Sequence, residues 1–293
     1  AEDRALAVAL ADEADVLLES GRPGATARLG LGFHELSARN PRLVYLSLSG
    51  WGQDGPASGE PGHNSNYLAR AGSTYLTGDP GTPPSEAVPI AQADLGAALY
   101  GVIAVLAGLR EPRQPRHLDV SLYASSLALL APRFAEYVDK GMPSRDELLR
   151  RPAHGVFEAG DGKYLTLGAV EEQFWVALCE LIGRSDLGAD EGLRSYVERC
   201  RRADEVDAAI AAALLTKPRD EWVEMLRARD IPVAPVLSPE EAVVDPQARH
   251  LDIFSDWPEV RTFLPVSGLA RPADLSGTQR SDDKIRASGW TEL

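Results

Sequence analysis

Three ionisable side chains stand where a chain element begins or ends: His63 directly after Pro61-Gly62, Asp94 ahead of an apolar run, and Glu171 at the end of a predicted strand. Imidazole and carboxylate groups at such places can act as general acids and bases on a substrate held between them. Each also has an ordinary explanation. A His in a Gly/Pro loop is a common surface residue. Asp94 before an apolar helix reads as an N-cap, and Glu171 with Glu172 suits the positive end of a helix dipole.

Other chemistries find less support. His34, His117, His154 and His250 have no metal-ligand spacing, and Cys179 and Cys200 are far apart in the chain, so no metal site is expected. Gly30-Leu-Gly32 lacks the third glycine of a dinucleotide loop, and no Walker-type loop is present. Ser49-Gly50 has no matching His and Asp pattern around it, which leaves a serine hydrolase weakly supported.

The elements that must hold these residues follow from periodicity. A helix is predicted over 3–12, a short strand over 16–18, and a strand over 43–49 whose two faces are both largely apolar, as in a strand covered on two sides. This βα pattern predicts a parallel sheet with helices against it. Leu95 to Leu109 is an uncharged apolar run that reads as a buried helix, with Ala97, Gly101, Ala104 and Gly108 as a small-residue stripe for close packing. Further on, a strand over 163–170, helices over 172–182, 203–215 and 218–229, and an edge strand over 231–237 with two prolines complete the pattern.

With 293 residues and 44% hydrophobic composition the chain can bury a full core and is expected to form two domains. A formal charge of -14 repels phosphate backbones, so neither nucleic acid nor anionic membrane is an expected partner. The Leu95–Leu109 run is shorter than the roughly 18 residues of a membrane span. Two cysteines make no disulfide framework, which fits a reducing, cytoplasmic location.

Several uncommon strings occur in one order: Glu19-Ser-Gly-Arg-Pro-Gly24, Arg28-Leu-Gly-Leu-Gly32, Asn40-Pro-Arg-Leu-Val-Tyr45 and Ser49-Gly-Trp-Gly-Gln-Asp-Gly-Pro56. They continue through Gly62-His-Asn-Ser-Asn-Tyr67, Ala93-Asp-Leu-Gly96, Asp161-Gly-Lys-Tyr164, Gly168-Ala-Val-Glu-Glu-Gln-Phe174 and Ile231-Pro-Val-Ala-Pro-Val236. Together they resemble the CaiB/BaiF type, or family III, of CoA-transferases over about four fifths of the chain. The strings at 62–67 and 168–174 are closest to those of the 2-methylacyl-CoA racemases in that family.

The resemblance implies an α/β fold: a Rossmann-like large domain over 1–140, a smaller α+β domain over 141–246, and a return to the large domain over 247–293, in an interlocked homodimer. It makes His63 and Asp94 opposed catalytic bases, Glu171 the carboxylate paired with His63, and Arg22 a coenzyme-binding residue. The implied reaction is racemisation of a 2-methylacyl-CoA by removal and return of the α-proton, with no cofactor beyond the coenzyme A of the acyl-CoA substrate. Asn64 departs from the racemase pattern, which has Asp there, and Ala97-Ala98 stand where racemases have glycines. The family also opens on a βα unit that helps bind coenzyme A, and no counterpart is read here. Two other readings remain: a CoA-transferase in which Asp94 is the nucleophile that carries first the acyl group and then the coenzyme, and an inactive chain that dimerises.

Overall fold

The alternation at 43–49 yields the central strand of a small parallel sheet. In the computed structural model, which describes residues 2–85, 90–110 and 114–251, the chain is mixed α/β and divides between Arg151 and Pro152 into two units. The first unit contains α1 (Glu2–Glu13), β1 (Val16–Glu19), α2 (Ala25–Arg28), α3 (Phe33–Arg39), β2 (Val44–Ser49), α4 (Asn64–Arg70), α5 (Gln92–Leu109), β3 (Arg116–Ser121), α6 (Leu122–Asp139) and α7 (Arg145–Leu149). Strands β1, β2 and β3 pair in that order, all parallel, with Glu19 opposite Ser47 and Ser49 opposite Ser121. Tyr45 is buried, and its hydroxyl lies 3.1 Å from both the Thr26 hydroxyl and the Leu31 carbonyl. Leu18 is 58% exposed on β1, which is an edge of this sheet among the described residues.

The apolar helix α5 corrects an expectation. It buries only one stripe, Ala93, Gly96, Ala97, Gly101 and Gly108, and presents Leu95, Leu99, Val102, Ile103 and Leu106 outward. Its 18 residues reach the length and composition of a membrane span, although one charged residue, Asp94, sits in its first turn. The small stripe does what its spacing predicts. A Cβ on Gly101 would meet Leu46 at 3.3 Å, and one on Gly108 would meet Val44 at 3.1 Å, so α5 lies directly on β2. Gly108 faces the start of β2 and Gly101 its middle, so α5 runs antiparallel to the strand. Its first turn therefore lies towards the C-terminal end of the sheet.

The second unit contains β4 (His154–Glu158), β5 (Tyr164–Gly168), α8 (Glu172–Leu181), α9 (Ser185–Ala189), α10 (Tyr196–Arg201), α11 (Ala203–Leu214), α12 (Arg219–Arg227), β6 (Val233–Pro235), α13 (Pro239–Val243) and α14 (Pro246–His250). Its antiparallel sheet has the order β4-β5-β6, which leaves the proline-bearing β6 at an edge. Trp175, Leu178, Val206, Ile210, Leu214, Trp222 and Leu226 close a helical core against Leu165 and Leu167 of the sheet. Residues 252–293, on which most of the expected return to the large domain falls, lie outside the described residues.

Arg219 joins three pieces of this unit. Its side chain is only 5% exposed; it donates to the Val236 carbonyl at 2.9 Å and to both carboxylate oxygens of Glu241 at 3.1 Å. Lys163 adds a 2.8 Å bond to the same carboxylate. These cations hold the Glu241 carboxyl down to about 2, with Arg219 the larger cause. A carboxyl whose pKa is lowered by folding stabilises the fold above its ordinary value of 4.5 and loses that contribution as pH falls towards about 2. Thermal unfolding of Glu241→Gln should therefore show a lower midpoint than the parent at pH 6 and above, with the two curves converging as pH approaches 2.

Candidate active site

Arg22, His63 and Asp94 leave the same end of the first unit's sheet. Arg22 follows β1 by three residues, and the loop from Gly50 to His63 follows the parallel neighbour β2. The C-terminal ends of parallel strands are where such sheets leave room for ligands.

His63 is the residue before α4, with extended backbone; its amide donates to the Asn66 side chain at 2.9 Å, and its imidazole is exposed. Asn64, the first residue of α4, reaches out of its own helix. Its Oδ1 accepts the Ala93 N–H at 2.9 Å, in the first turn of α5. This bond explains why Asp94 is not the N-cap expected from sequence. The helix starts at Gln92, two residues earlier, with the cap supplied by a side chain 29 positions away. Asp94 lies in that first turn, exposed.

The amides around it are taken in turn. Gln92 donates to the Ile90 carbonyl at 2.7 Å, Ala93 to Asn64, and Leu95 to the Ala91 carbonyl at 2.9 Å. The Asp94 N–H has no acceptor among the described residues. One exposed carboxylate and one open donor therefore share a residue at the positive end of an 18-residue helix.

Tyr67 is the residue that the sequence reading passed over. It lies one turn after His63 on α4, is 6% exposed, and packs edge-on to Trp51 with ring centroids 4.8 Å apart. Its phenol is pushed above the ordinary tyrosine value, first by burial and then by the charge of Asp94, with Arg22 opposing. The phenol thus senses both Asp94 and Arg22 electrostatically. Gly50 and Gly62 make room for the ring: a Cβ on Gly62 would meet Tyr67 Cε1 at 2.8 Å, and one on Gly50 would overlap the phenolic oxygen. The signal was present in the string at 62–67, where the only large residue follows His63 at helical spacing. Trp51 is braced further by Arg70, whose guanidinium carbon lies 4.9 Å from the ring centroid.

Glu171 belongs to the second unit. It is the extended N-cap residue of α8, yet its exposed carboxylate makes no capping bond. The backbone beside it is anchored by Arg199, a fully buried guanidinium that donates to the carbonyls of Val170, Leu193 and Arg194 and stacks over Trp175 at 5.3 Å. Among the described residues no cluster of His, Cys, Asp or Glu has metal-binding geometry.

Crowding at Tyr67 gives a direct test of this arrangement. Gly50→Ala forces the phenol to move and should lower unfolding free energy by about 1–3 kcal/mol. In chemical denaturation, the loss should be smaller when measured in a Tyr67→Phe background, where the clashing oxygen is gone.

The model of CoA-transferase family III matches residues 1–285. The acetyl-CoA:oxalate CoA-transferase of Acetobacter aceti is 30% identical over 96% of this chain and 75% of its own length. The succinyl-CoA–D-citramalate CoA-transferase of Chloroflexus aurantiacus is 29% identical over 84% of this chain and 62% of its own. In structure, a CAIB/BAIF family protein from Brucella suis superposes with a TM-score of 0.74 at 26% identity, over 86% of this chain and 68% of that one. The chain spans between 53% and 75% of the length of eight curated relatives that it matches. By the extent of these matches, the chain belongs to CoA-transferase family III.

Proposed function

We propose that this chain carries the site of an acyl-CoA:carboxylate CoA-transferase, with Asp94 as the nucleophile. What carries the reading is Asp94 itself: an exposed carboxylate in the first turn of α5, with its own amide open, in a chain whose relatives bear the names of CoA-transferases. The relatives thereby favour the transferase over the racemase that the sequence strings put first.

The steps balance without a further cofactor. Asp94 attacks the thioester carbonyl of the donor acyl-CoA, the C–S bond breaks, and the CoA thiolate leaves an acyl-aspartyl anhydride behind. Thiolate then attacks the Asp94 carbonyl, expelling the donor carboxylate and forming an aspartyl-CoA thioester. An acceptor carboxylate attacks that thioester to form a second anhydride, and the thiolate returns on the acceptor's carbonyl, releasing new acyl-CoA and free Asp94. Each attack makes an oxyanion, for which the open Asp94 N–H is a donor. Arg22 offers its guanidinium to a phosphate of the coenzyme.

A second reading keeps racemisation. The Asn64–Ala93 bond ties the residue after His63 to the residue before Asp94, so the two groups proposed as opposed bases start linked helices. Incubation with an acyl-CoA and hydroxylamine separates the two: the transferase yields an aspartyl hydroxamate at Asp94, lost in Asp94→Asn, while His63→Ala keeps most turnover. Solvent deuterium entering the α-carbon of a 2-methylacyl-CoA without a trapped adduct would overturn the transferase.

The same proposal includes a cytoplasmic homodimer. Leu95, Leu99, Val102, Ile103 and Leu106 recur at helical spacing on one exposed face of α5, and covering such side chains is worth roughly 1.5–3 kcal/mol each. A second copy is the proposed cover. In sedimentation velocity the parent chain should run as a dimer and Leu99→Asp with Val102→Asp should shift it to monomer; a monomeric parent would count against the assignment.

A further inference from the structure

We infer that Asn64 is a positioning residue for Asp94, acting through the first turn of α5; the inference rests on the proposed role of Asp94. The geometry is specific. Asn64 leads α4, whose N-cap is His63, but its side-chain oxygen does not serve α4. It crosses to the Ala93 N–H at 2.9 Å, the amide immediately before Asp94. The start of α4 has its own side-chain support in Asn66, which takes the His63 amide, so Asn64 is free for this use.

The consequence follows from what else holds this turn. Ala91, at the N-cap position, has no side chain able to cap, and no side-chain cap bond is made from it. The two backbone bonds nearby, from Gln92 to Ile90 and from Leu95 to Ala91, are local and tie the turn to no other element. Among the described residues, the Asn64 bond is the side-chain hydrogen bond that ties this turn to another element. Losing it frees the Ala93 amide and lets the turn unwind, which displaces both the Asp94 carboxylate and the open Asp94 N–H. Misplacement of a reacting group by about 1 Å can cost on the order of 10²-fold in rate without weakening ground-state binding. The acceptor must also be in place before substrate arrives, since it belongs to the fold and not to the ligand.

The test uses the whole chain and three variants: Asn64→Ala removes the acceptor, Asn64→Asp keeps one, and Asp94→Asn marks the loss of the nucleophile. Two readouts are taken together. Hydrogen exchange of the Ala93 amide reports the cap without any assumption about the reaction, and the rate of hydroxylamine-trapped adduct formation at saturating acyl-CoA, with KM, reports Asp94. In Asn64→Ala we expect Ala93 exchange to rise about tenfold or more and adduct formation to fall about 10- to 100-fold with KM within about threefold of the parent. Asn64→Asp should restore protection of Ala93. Unchanged adduct formation in Asn64→Ala, or a rise in KM that accounts for the whole loss, would overturn the positioning role. Unprotected Ala93 in the parent would overturn it as well. A parent that forms no adduct while Ala93 behaves as expected would instead sink the transferase reading and leave the cap standing.

Discussion

The close seat of α5 on β2 is the constraint from which the site follows. Gly101 and Gly108 leave only van der Waals room to Leu46 and Val44, and a Cβ on Gly96 would come within 2.7 Å of Leu129 on α6. Helix separation is set by the side chains at the contact, so three glycines bring α5 as near to its neighbours as backbone allows. Because α5 runs antiparallel to β2, that seat carries its positive end to the rim where Arg22 and the 50–63 loop leave the sheet. Asp94 inherits its place from packing that begins at Gly96, two residues on, and extends to Gly108, about four turns away.

Charge must act locally at this rim. The chain has a formal net charge of -14, while an acyl-CoA, the proposed substrate, brings several negative phosphates, so the overall field opposes its approach. At physiological ionic strength exposed charges are screened beyond about 8 Å. What counts is the nearby set: the Arg22 guanidinium, the helix end with its open amide, and the Tyr67 phenol, whose pKa burial and Asp94 push up.

Much of this was legible in the sequence, and the parts that were not share a cause. Alternation around Tyr45 and small-residue spacing in α5 are local patterns with local consequences, and both elements appear where the pattern put them. The N-cap role of Asp94 failed because the real cap, Asn64, lies 29 residues earlier and arrives through tertiary contact. The burial of α5 was overestimated because an apolar side chain looks the same whether its own unit or something else covers it. Glu171 was correctly read as standing at a strand-to-helix junction, but the buried Arg199 that anchors Val170 beside it is spelled in a separate helix. Nothing in the spacing of two charged residues announces such a bond.

The string from Gly62 to Tyr67 shows why motif similarity does not by itself separate transfer from racemisation. Gly62 is needed because a Cβ would strike the Tyr67 ring; Asn64 caps α5; Asn66 holds the His63 amide; and Tyr67 fills the space beneath the rim. Four of the six positions therefore have work that either reaction would require, since transfer and racemisation would both use a carboxylate set at the start of α5. Similarity at those positions reports the scaffold. Discrimination falls to His63 alone within the string, and an exposed imidazole ahead of α4 is compatible with proton transfer without demanding it. The weight of the proposal thus passes to Asp94, whose exposed carboxylate and open amide suit the proposed nucleophile, which would carry an acyl group and then the coenzyme.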